Sequence, residues 1–577
     1  MNEVKTTNRK MMLIYVMFII IICLGVSGKL IYLMVFKSQY YSGKALEVQE
    51  RERKIKAPRG RIFDRNGQII ASNKTVCTIS VIYNQIKEPE KVINILSEQL
   101  GIDKEEVRKK VTKRSVREKI KSNVSKDVGD KIREYNLEGV KVDEDYKRYY
   151  PYSSLASKVL GFTGADNQGI IGLEVKYDKY LQGTDGLILT PTDSRGIEQD
   201  TALEERIEPI SGNDLVTSID VNIQQYAEQI AYNALEAKKA NYVSIIVMNP
   251  NNGEILAMVN APEFDLNDPY TLNYQTDSNL ASDKKQDMLN KMWRNQCIND
   301  TYEPGSTFKV VTATAALEEG VVTLDSKFNC PGFRIVDDRR IRCHKTTGHG
   351  TETFLEGTMN SCNPVFIDVG LKVGPENFYK YLDRLGLLGK TGIDIPGEAS
   401  TIIHQVKNVG NVEMATMAFG QSFQITPVQY LVAASAVVNG GKLVTPHFAV
   451  KSTGASGETV QKFQYKEKSN VISKETSETM RYVLEKVISE GTGSKGQVEG
   501  YKVGGKTATS QKLPRGSGKY IASFMGFAPA DNPQVIAMAI VDEPEGIYYG
   551  GQVAAPLISQ LYQNILPYLL EGKEQGE

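Results

Sequence analysis

The first residues in the sequence that could do chemistry are a serine and a lysine three positions apart, Ser306 and Lys309. Pro304 and Gly305 interrupt regular structure just before them, and Ser306 stands where a helix would begin. Lys309 therefore falls about one turn later on the same face. A serine hydroxyl becomes a nucleophile when a base takes its proton, and a lysine can be that base if burial or a neighbouring cation lowers its pKa. Free N–H groups at the helix start could stabilise an oxyanion. The spacing alone is weak evidence, because it arises often by chance.

A second pair of polar residues, Ser361 and Asn363, lies two positions apart. On an extended or tightly turned backbone the two side chains point the same way and could flank a bound amide. An ordinary polar turn before Pro364 explains the pair equally well when it is taken alone.

The third motif is Lys506 followed by Thr507, Ala508 and Thr509, in a segment typical of a β-strand. Thr507 and Thr509 are one strand period apart and share a face. Taken alone, this motif is more simply interpreted as a solvated edge strand. The order Ser-x-x-Lys, Ser-x-Asn, Lys-Thr-small is nevertheless close to the catalytic motif set of penicillin-binding proteins and class A β-lactamases.

Four of the six cysteines fall in one window around the two serines, namely Cys297, Cys330, Cys343 and Cys362. Between the second and the third of them the sequence predicts a hairpin. Pairing of Val336 with Arg339 places Gly332 opposite Cys343, so the two thiols become diagonal neighbours. Cys362 lies inside the Ser-x-Asn motif and is interpreted as a packing residue.

Two histidines, His344 and His349, follow Cys343 directly, and three interpretations compete. A structural zinc suits Cys330, Cys343 and His349 with a fourth ligand, for which Cys297 is the first choice and His344 the second. A disulfide between Cys330 and Cys343 suits a location outside the cytoplasm but leaves the histidines unexplained. Buried free thiols are the third interpretation.

The N-terminal segment predicts a membrane anchor. Residues 11–36 are uncharged except for Lys29 and are long enough to cross a bilayer as a helix at ~1.5 Å per residue. Three basic residues precede the segment, which favours a cytoplasmic N-terminus and places the rest of the chain outside the cytoplasm. A cleaved signal peptide is the alternative, but residues 25–27 form a poor cleavage site and the apolar character resumes beyond them.

The remainder has the composition of a globular protein. The chain has 577 residues, of which 41% are apolar, so it can bury a sizeable core in several domains. Its 69 basic residues equal its 69 acidic ones. Zero net charge argues against a nucleic-acid partner, because duplex binding needs a basic face.

The hydrophobic pattern predicts an α+β protein with an antiparallel sheet. A hairpin is expected over residues 61–71 and helical structure over residues 88–135. Strands are expected at 242–250 and 253–258 after a helix at 221–239, and again at 523–528 and 535–541 before a helix at about 555–570.

The chain resembles a class B penicillin-binding protein in its three catalytic motifs and over nearly its whole length. Within that class it is most similar to the division and sporulation branch of Gram-positive bacteria. The segments that support this resemblance outside the three motifs are PRGRIFDRNG at 58–67, RYYP at 148–151 with Gly161 beyond it, GLEVKYDKYLQG at 172–183, NPNNGEILAM at 249–258, FGQSFQITPVQ at 419–429 and FMGFAPADNP at 524–533.

The resemblance implies a multidomain α+β architecture without the C-terminal extension common in that branch. The expected parts are a cytoplasmic tail at 1–10, a transmembrane helix at 11–36, an extended β-rich pedestal and dimerisation domain at 37–212, a transpeptidase domain with a helix-flanked antiparallel sheet at 213–570, and a tail at 571–577.

The activity implied by the resemblance is that of a membrane-bound peptidoglycan D,D-transpeptidase. Ser306 would attack the D-Ala-D-Ala bond of a donor stem peptide, Lys309 would take the serine proton, and Ser361 would pass a proton to the leaving amine. An acceptor amine would then resolve the acyl-enzyme. β-Lactams would acylate the same serine, and no cofactor is required for acyl transfer.

The resemblance also implies how substrate is held. Asn363 would hold the substrate amide, and Lys506, Thr507 and Thr509 would receive the terminal carboxylate. The backbone N–H groups at Thr509 and at the nucleophile would form the oxyanion hole. Ala508 stands where the family usually has glycine, which predicts altered β-lactam selectivity more than lost catalysis.

Other functions use related motifs. A D,D-carboxypeptidase uses the same groups on water, and a non-catalytic scaffold of the division or sporulation machinery is conceivable if Ala508 blocks acylation. A β-lactamase would need a deacylating glutamate, and a β-lactam sensor would need several transmembrane segments and an H-E-x-x-H motif. The expected partners are stem peptides, β-lactams, the membrane and a polytopic glycosyltransferase of division, elongation or sporulation type.

Overall fold

The structure, a computed structural model, describes residues 2–41, 50–191, 205–274 and 281–571. The chain divides into two compact units, one formed by residues 1–58, 74–147 and 184–210 and the other by residues 59–73, 148–183 and 211–577. Both mix helices and strands, as the α+β prediction requires. Except for its first residue, the tail predicted at 571–577 lies outside the described residues.

The first unit begins with the predicted apolar helix. Helix Asn2–Ile31 continues as a π-helical turn at Tyr32–Phe36. Within the described residues, only the stretch Arg9–Phe36 is long and apolar enough to cross a membrane. By length and composition it is a candidate membrane anchor.

In its described residues, the rest of the first unit has two groups of strands, and α-helices cover one of them. Strand Gly186–Pro191 pairs with Glu50–Ile55 on one side and Glu205–Ile207 on the other. Residues 76–81 of the long strand Ile69–Val81 pair with Glu118–Ser125, and the long strand also pairs with Val140–Tyr149. The helices that cover these strands are Pro89–Leu100, Lys104–Val111 and Lys126–Glu134.

One strand of this unit corrects the sequence-based expectation. Residues 88–135 were expected to be helical, but Glu118–Ser125 is extended. Its buried residues are Ile120 and Val124, which are four positions apart. That spacing places two residues on one face of a helix and equally on one face of a strand, so the pattern did not distinguish them.

The second unit is built on a five-stranded antiparallel sheet. Its strand order is Ile255–Ala261, Tyr242–Met248, Val535–Asp542, Tyr520–Ala528 and Gly504–Gln511. The last of these strands carries the Lys-Thr motif and forms one edge of the sheet. The central strands Tyr242–Met248 and Val535–Asp542 are almost wholly buried, because helices cover both faces of the sheet.

Alternate residues of strand Tyr242–Met248 belong to two separate cores. Val243, Ile245 and Val247 pack with helices Val221–Lys238 and Ala555–Glu571. Ile246 and Met248 lie in the other core, which contains helices Lys309–Glu318 and Pro427–Val438. The helix that begins at Lys309 is therefore enclosed by the sheet and by other helices.

Short strand pairs and helices complete this unit. The predicted hairpin at 61–71 forms from Ile62–Phe63 and the start of strand Ile69–Val81. The hairpin predicted before Cys343 is also confirmed, with Val336 opposite Arg339. The other strands are Asp214–Thr217, Lys327–Cys330, Gly350–Thr353, Leu443–Val444, Ala449–Thr453, Thr459–Lys462 and Glu467–Lys468. The other helices are Ser157–Leu160, Gly172–Lys176, Asp178–Leu181, Ser282–Met292, Gln296–Asn299, Phe354–Met359, Asn363–Arg384, Asn411–Met417, Lys474–Ser489 and Gly550–Val553.

Candidate active site

Ser306 lies in a short 3-10 turn, Gly305–Phe308, that runs directly into helix Lys309–Glu318. Gly305 has a φ of +57°, and a Cβ there would lie 2.2 Å from Ser510 Oγ of the edge strand. Glycine is therefore required where the turn meets that strand. The Gly305 N–H also donates to the Gly420 carbonyl at 2.9 Å. These contacts fix the turn and leave Ser306 half-buried.

Lys309 is the base expected from the sequence, and it is fully buried. Its Nζ donates to the Ser361 carbonyl at 2.7 Å, lies 3.2 Å from Ser361 Oγ, and donates to Asn363 Oδ1 at 2.8 Å. Burial lowers the pKa of Lys309 to about 8, because a buried amine favours its neutral form. The first and second motifs therefore meet at this amine.

Ser361 and Asn363 lie where two helices meet. Ser361 follows helix Phe354–Met359 and has a φ of +53°, so a left-handed turn separates that helix from the next. Asn363 begins helix Asn363–Arg384, and its Nδ2 donates to the Arg342 carbonyl at 3.1 Å. The turn directs both polar side chains to the Lys309 amine.

The third motif lies on the edge strand Gly504–Gln511. Lys506 is fully buried, and burial, assisted by the positive charge of Lys309, lowers its pKa well below the ordinary value. Thr507 and Thr509 lie on the opposite face of the strand, where Thr509 Oγ1 accepts from the Gly550 N–H at 3.0 Å. The interpretation of this segment as a solvated edge strand is wrong, because Lys506, Thr507 and Ala508 are buried.

Ala508 lies on the same face of the strand as Lys506 and is almost completely buried. A Cβ on Gly305 would lie 3.6 Å from the Cβ of Ala508. The methyl group therefore faces the turn that contains Ser306. A substitution at position 508 changes the packing against that turn.

Residues 243–563, more than half of the chain, match the family described as Penicillin binding protein transpeptidase domain. The chain belongs to the class B penicillin-binding proteins. Residues 54–217 of this penicillin-binding protein match the Penicillin-binding Protein dimerisation domain. The resemblance stated from the sequence motifs is confirmed.

Individual relatives support the same family assignment. Stage V sporulation protein D of Bacillus subtilis (strain 168) is 39% identical over 99% of this chain and 87% of its own length. A probable peptidoglycan D,D-transpeptidase, PenA of Neisseria meningitidis (strain MC58), is 28% identical over 88% of this chain and 84% of its own length. Penicillin Binding Protein 2X from Streptococcus thermophilus shares the fold, with a TM-score of 0.74 at 23% identity over 91% of this chain and 82% of that chain.

Sequence reasoning missed one buried carboxylate of this penicillin-binding protein. Glu303, three residues before the nucleophile, forms an ion pair with Arg515 at 2.5 Å and accepts from the Ser422 N–H at 3.0 Å. It joins the loop after the edge strand to a second loop beside the nucleophile turn. A glutamate before Pro-Gly is an unremarkable pattern, and Arg515 is too far along the chain for the pairing to be inferred.

The Cys and His residues near the site form a compact group. Donor atoms of Cys330, Cys343, His349 and Cys362 all lie within 4.8 Å of one another. Cys330 and Cys343 are free thiols, so the disulfide interpretation is wrong for this structure. Cys362, interpreted from the sequence as a packing residue, belongs to the group. Its place inside the Ser-x-Asn motif was the signal that could have identified it.

Cys297, the first choice as fourth ligand, does not join this group. It lies in helix Gln296–Asn299, where its thiol is 3.8 Å from the Val259 carbonyl, and burial raises its pKa to about 12. Its position beside the strand Ile255–Ala261 explains the correction, since nearness in sequence did not bring it near Cys343. His344, the second choice, has its Nδ1 3.8 Å from Cys343 Sγ but is outside the compact group.

Proposed function

We propose that this penicillin-binding protein is a serine-type peptidoglycan D,D-transpeptidase that cross-links stem peptides through a Ser306 acyl-enzyme and binds penicillin at the same serine. The observation that supports this most directly is the buried Lys309 amine, which lies within hydrogen-bond distance of Ser361 and Asn363. Among the described residues it forms no ion pair. An unpaired buried amine is readily neutral, as the base for a serine hydroxyl must be.

Acylation would proceed along these contacts. Ser306 Oγ attacks the carbonyl carbon of the D-Ala-D-Ala bond, and its proton passes to Lys309 Nζ. The Ser306 and Thr509 N–H groups stabilise the oxyanion. Ser361 Oγ, 3.2 Å from Lys309 Nζ, relays a proton to the leaving amine, which frees D-Ala and leaves an ester. An acceptor amine then attacks the ester, and the new amide is the cross-link.

In the proposed complex each polar group of the substrate has a partner. The Asn363 side chain holds the substrate amide, while Lys506, Thr507 and Thr509 receive the terminal carboxylate. The pKa of Lys506 is lowered by burial in the free enzyme. A bound carboxylate favours the protonated form of this lysine.

Labelling with fluorescent penicillin tests the proposal. The detergent-solubilised full chain is expected to become covalently labelled, and Ser306→Ala is expected to abolish the label. Incubation with a D-Ala-D-Ala peptide and an acceptor amine then separates the alternatives. A cross-linked product supports a transpeptidase, hydrolysis alone indicates a D,D-carboxypeptidase, and an unlabelled, inactive protein indicates a scaffold.

We propose further that the apolar helix anchors the protein in the cell membrane as a single span, with residues 1–10 in the cytoplasm and the catalytic domain outside. The proposed boundaries are 11–36 for the span, 37–212 for the pedestal and 213–570 for the transpeptidase domain. A polytopic glycosyltransferase is the proposed partner, because cross-linking requires newly made strands. Protease added to intact cells should remove the catalytic domain but leave an N-terminal tag protected.

A structural zinc is proposed at Cys330, Cys343, His349 and Cys362, a ligand set typical of structural zinc sites. The surroundings fit this ion. Glu352 Oε1 lies 3.8 Å from His349 Nδ1 and is buried without a hydrogen-bond partner. His349 Nδ1 also lies 3.7 Å from Cys343 Sγ, so a thiol and this unpartnered carboxylate oxygen face the same ring nitrogen, where a cation would compensate their charge. The metal would hold the turn between Ser361 and Asn363, and acyl transfer itself would not use it.

Metal analysis of the purified full chain tests the zinc proposal. About one zinc per chain is expected, with loss of the metal in Cys330→Ser and its retention in Cys297→Ala. A metal-free protein that acylates with penicillin at the full rate would dismiss the proposal.

A further inference from the structure

An arginine-rich hairpin at residues 333–342 stands beside the candidate active site. Cross-strand partners share a face, so Phe333 lies with Arg342 and Ile335 lies with Arg340 on one face of the hairpin. Ile335 is 63% exposed and both arginines are exposed. We call this solvent-facing side, formed by these four residues, the outer face.

The opposite face is packed and its charge is neutralised. Val336 is buried there, and Arg334 forms an ion pair with Asp368 of helix Asn363–Arg384. On the outer face, by contrast, neither arginine forms an ion pair with any described residue. The Arg340 guanidinium lies 3.8 Å from the centroid of the Phe333 ring. The outer face therefore offers two guanidinium groups beside apolar surface.

The backbone of the hairpin at Arg342 contacts the catalytic motifs directly. The Arg342 carbonyl accepts from Asn363 Nδ2 at 3.1 Å, and Asn363 Oδ1 accepts from Lys309. In the proposed function the terminal carboxylate of the donor lies at Lys506. Because Asn363 holds the substrate amide in that function, the peptide upstream of the scissile bond passes residue 363, and Arg342 is in direct contact with that residue.

We propose that Arg342, assisted by Arg340, binds a carboxylate that the donor stem peptide contains upstream of its terminal D-Ala-D-Ala. This inference rests on the proposed function and names a specificity determinant for it. Binding at this position selects a peptide with a free acid over one whose acid is amidated.

The chemistry of the outer face favours a carboxylate over other groups. A guanidinium presents a planar fork of donors that matches a carboxylate in two parallel hydrogen bonds, and it stays charged at any physiological pH. The two acids of the hairpin, Asp337 and Asp338, lie in its turn, at the end away from Arg342. Asp337 accepts there from Asn411 Nδ2. Ile335 supplies apolar surface for the aliphatic part of the peptide.

Two synthetic donor peptides test the inference. Both end in D-Ala-D-Ala, and they differ only in whether their internal carboxylates are free or amidated. D-Ala release is measured for the wild type, Arg342→Gln, Arg342→Lys and a matched control, Arg339→Gln. Arg339 is exposed on the same hairpin but belongs to the opposite face.

The wild type is expected to prefer the free acid about tenfold in kcat/KM, mainly through KM, as loss of one charge-assisted hydrogen-bonded pair predicts. Arg342→Gln should remove the preference, Arg342→Lys should retain part of it, and Arg339→Gln should retain all of it. High salt should weaken the wild-type preference. The wild-type comparison and its salt dependence need no variant to fold.

Three results would overturn the inference. They are a wild type that releases D-Ala from both peptides equally well, a preference that survives in Arg342→Gln, and an equal loss of preference in Arg339→Gln. If neither peptide is turned over and Ser306 takes no penicillin label, the proposed function fails and the inference fails with it.

Discussion

Two groups of buried cations in the second unit have opposite surroundings. In the first, Arg59 and Arg148 share the carboxylate of Glu174, with N–O distances of 2.6 and 2.7 Å, and Arg59 also pairs with Asp178. In the second, Lys309 and Lys506 are fully buried and, among the described residues, form no ion pair. Carboxylates neutralise the buried cations of the first group, whereas the cations of the second group have no bonded carboxylate.

The pKa values follow from that difference. Burial alone would lower the pKa of Arg59, but the charges and hydrogen bonds of Glu174 and Asp178 together outweigh burial and raise it. Burial lowers the pKa of Lys309 to about 8, with no carboxylate bonded to oppose it. A buried cation with a bonded carboxylate stays charged and holds the fold, whereas one without it loses its proton more readily and can serve as a base.

The largest expected effect comes from removing the unpaired amine. Lys309→Met should lower the rate of penicillin acylation about 10³-fold, because the serine loses its base. The free energy of unfolding should not fall by a comparable amount, since an apolar chain replaces a desolvated amine. Stopped-flow acylation and urea unfolding measure the two effects. Lys372→Met, at an exposed lysine, is the control, and normal acylation in Lys309→Met would contradict the comparison.

Removing the paired carboxylate should have the opposite consequence. Glu174→Gln leaves Arg59 and Arg148 incompletely compensated in the interior and should cost about 3 kcal/mol of unfolding free energy. Folded protein should still be acylated at the wild-type rate. Urea unfolding of the full chain measures the loss, with Glu545→Gln, at an exposed ion pair, as the matched control. A loss of acylation without a loss of stability would assign Glu174 to catalysis.

The pH dependence of the acylation rate should report the protonation of the unpaired amine, Lys309. Lys309 acts as a base only when neutral, and its pKa is about 8. The acylation rate should therefore fall about tenfold for each pH unit below that value, because the amine becomes protonated. Acylation by a chromogenic cephalosporin between pH 5.5 and 9 measures this slope. A rate that is constant from pH 6 to 8 would mean that the amine is already neutral or is not the base.

The smallest expected effect concerns Ala508, whose methyl faces the turn that contains the nucleophile. Ala508→Gly should change acylation rates by a few-fold, and unequally among penicillins, cephalosporins and carbapenems, because added space beside the oxyanion hole suits some ring systems better than others. Second-order acylation constants for one member of each class measure this. Equal rates for all classes in the variant and the wild type would remove Ala508 as a selectivity determinant.

Much of the fold could be predicted from local patterns. The strand pairing around Val336 and Arg339 and the two strands before Ala261 follow from turn chemistry and alternation. The strand Glu118–Ser125 was missed because its buried pair, Ile120 and Val124, has a spacing that also fits a helix. In the candidate site, the sequence predicted Cys297 as a metal ligand and Cys362 as a packing residue, whereas the fold brings Cys362 and not Cys297 to the group of possible ligands. The sequence placed both near the serines, and only the position of Cys362 inside the Ser-x-Asn motif favoured it as a neighbour of Cys343.

By itself the sequence determined the parts whose geometry is local. Lys309 lies one turn after Ser306, and Thr507 and Thr509 share a face, because backbone periodicity fixes such short spacings. Tertiary structure alone decided that Lys309 reaches Ser361 and Asn363, that Cys362 joins Cys330, and that Arg342 lies against Asn363. It also decided which cations are desolvated, because burial and pairing depend on packing between distant segments and change a pKa that no local pattern sets.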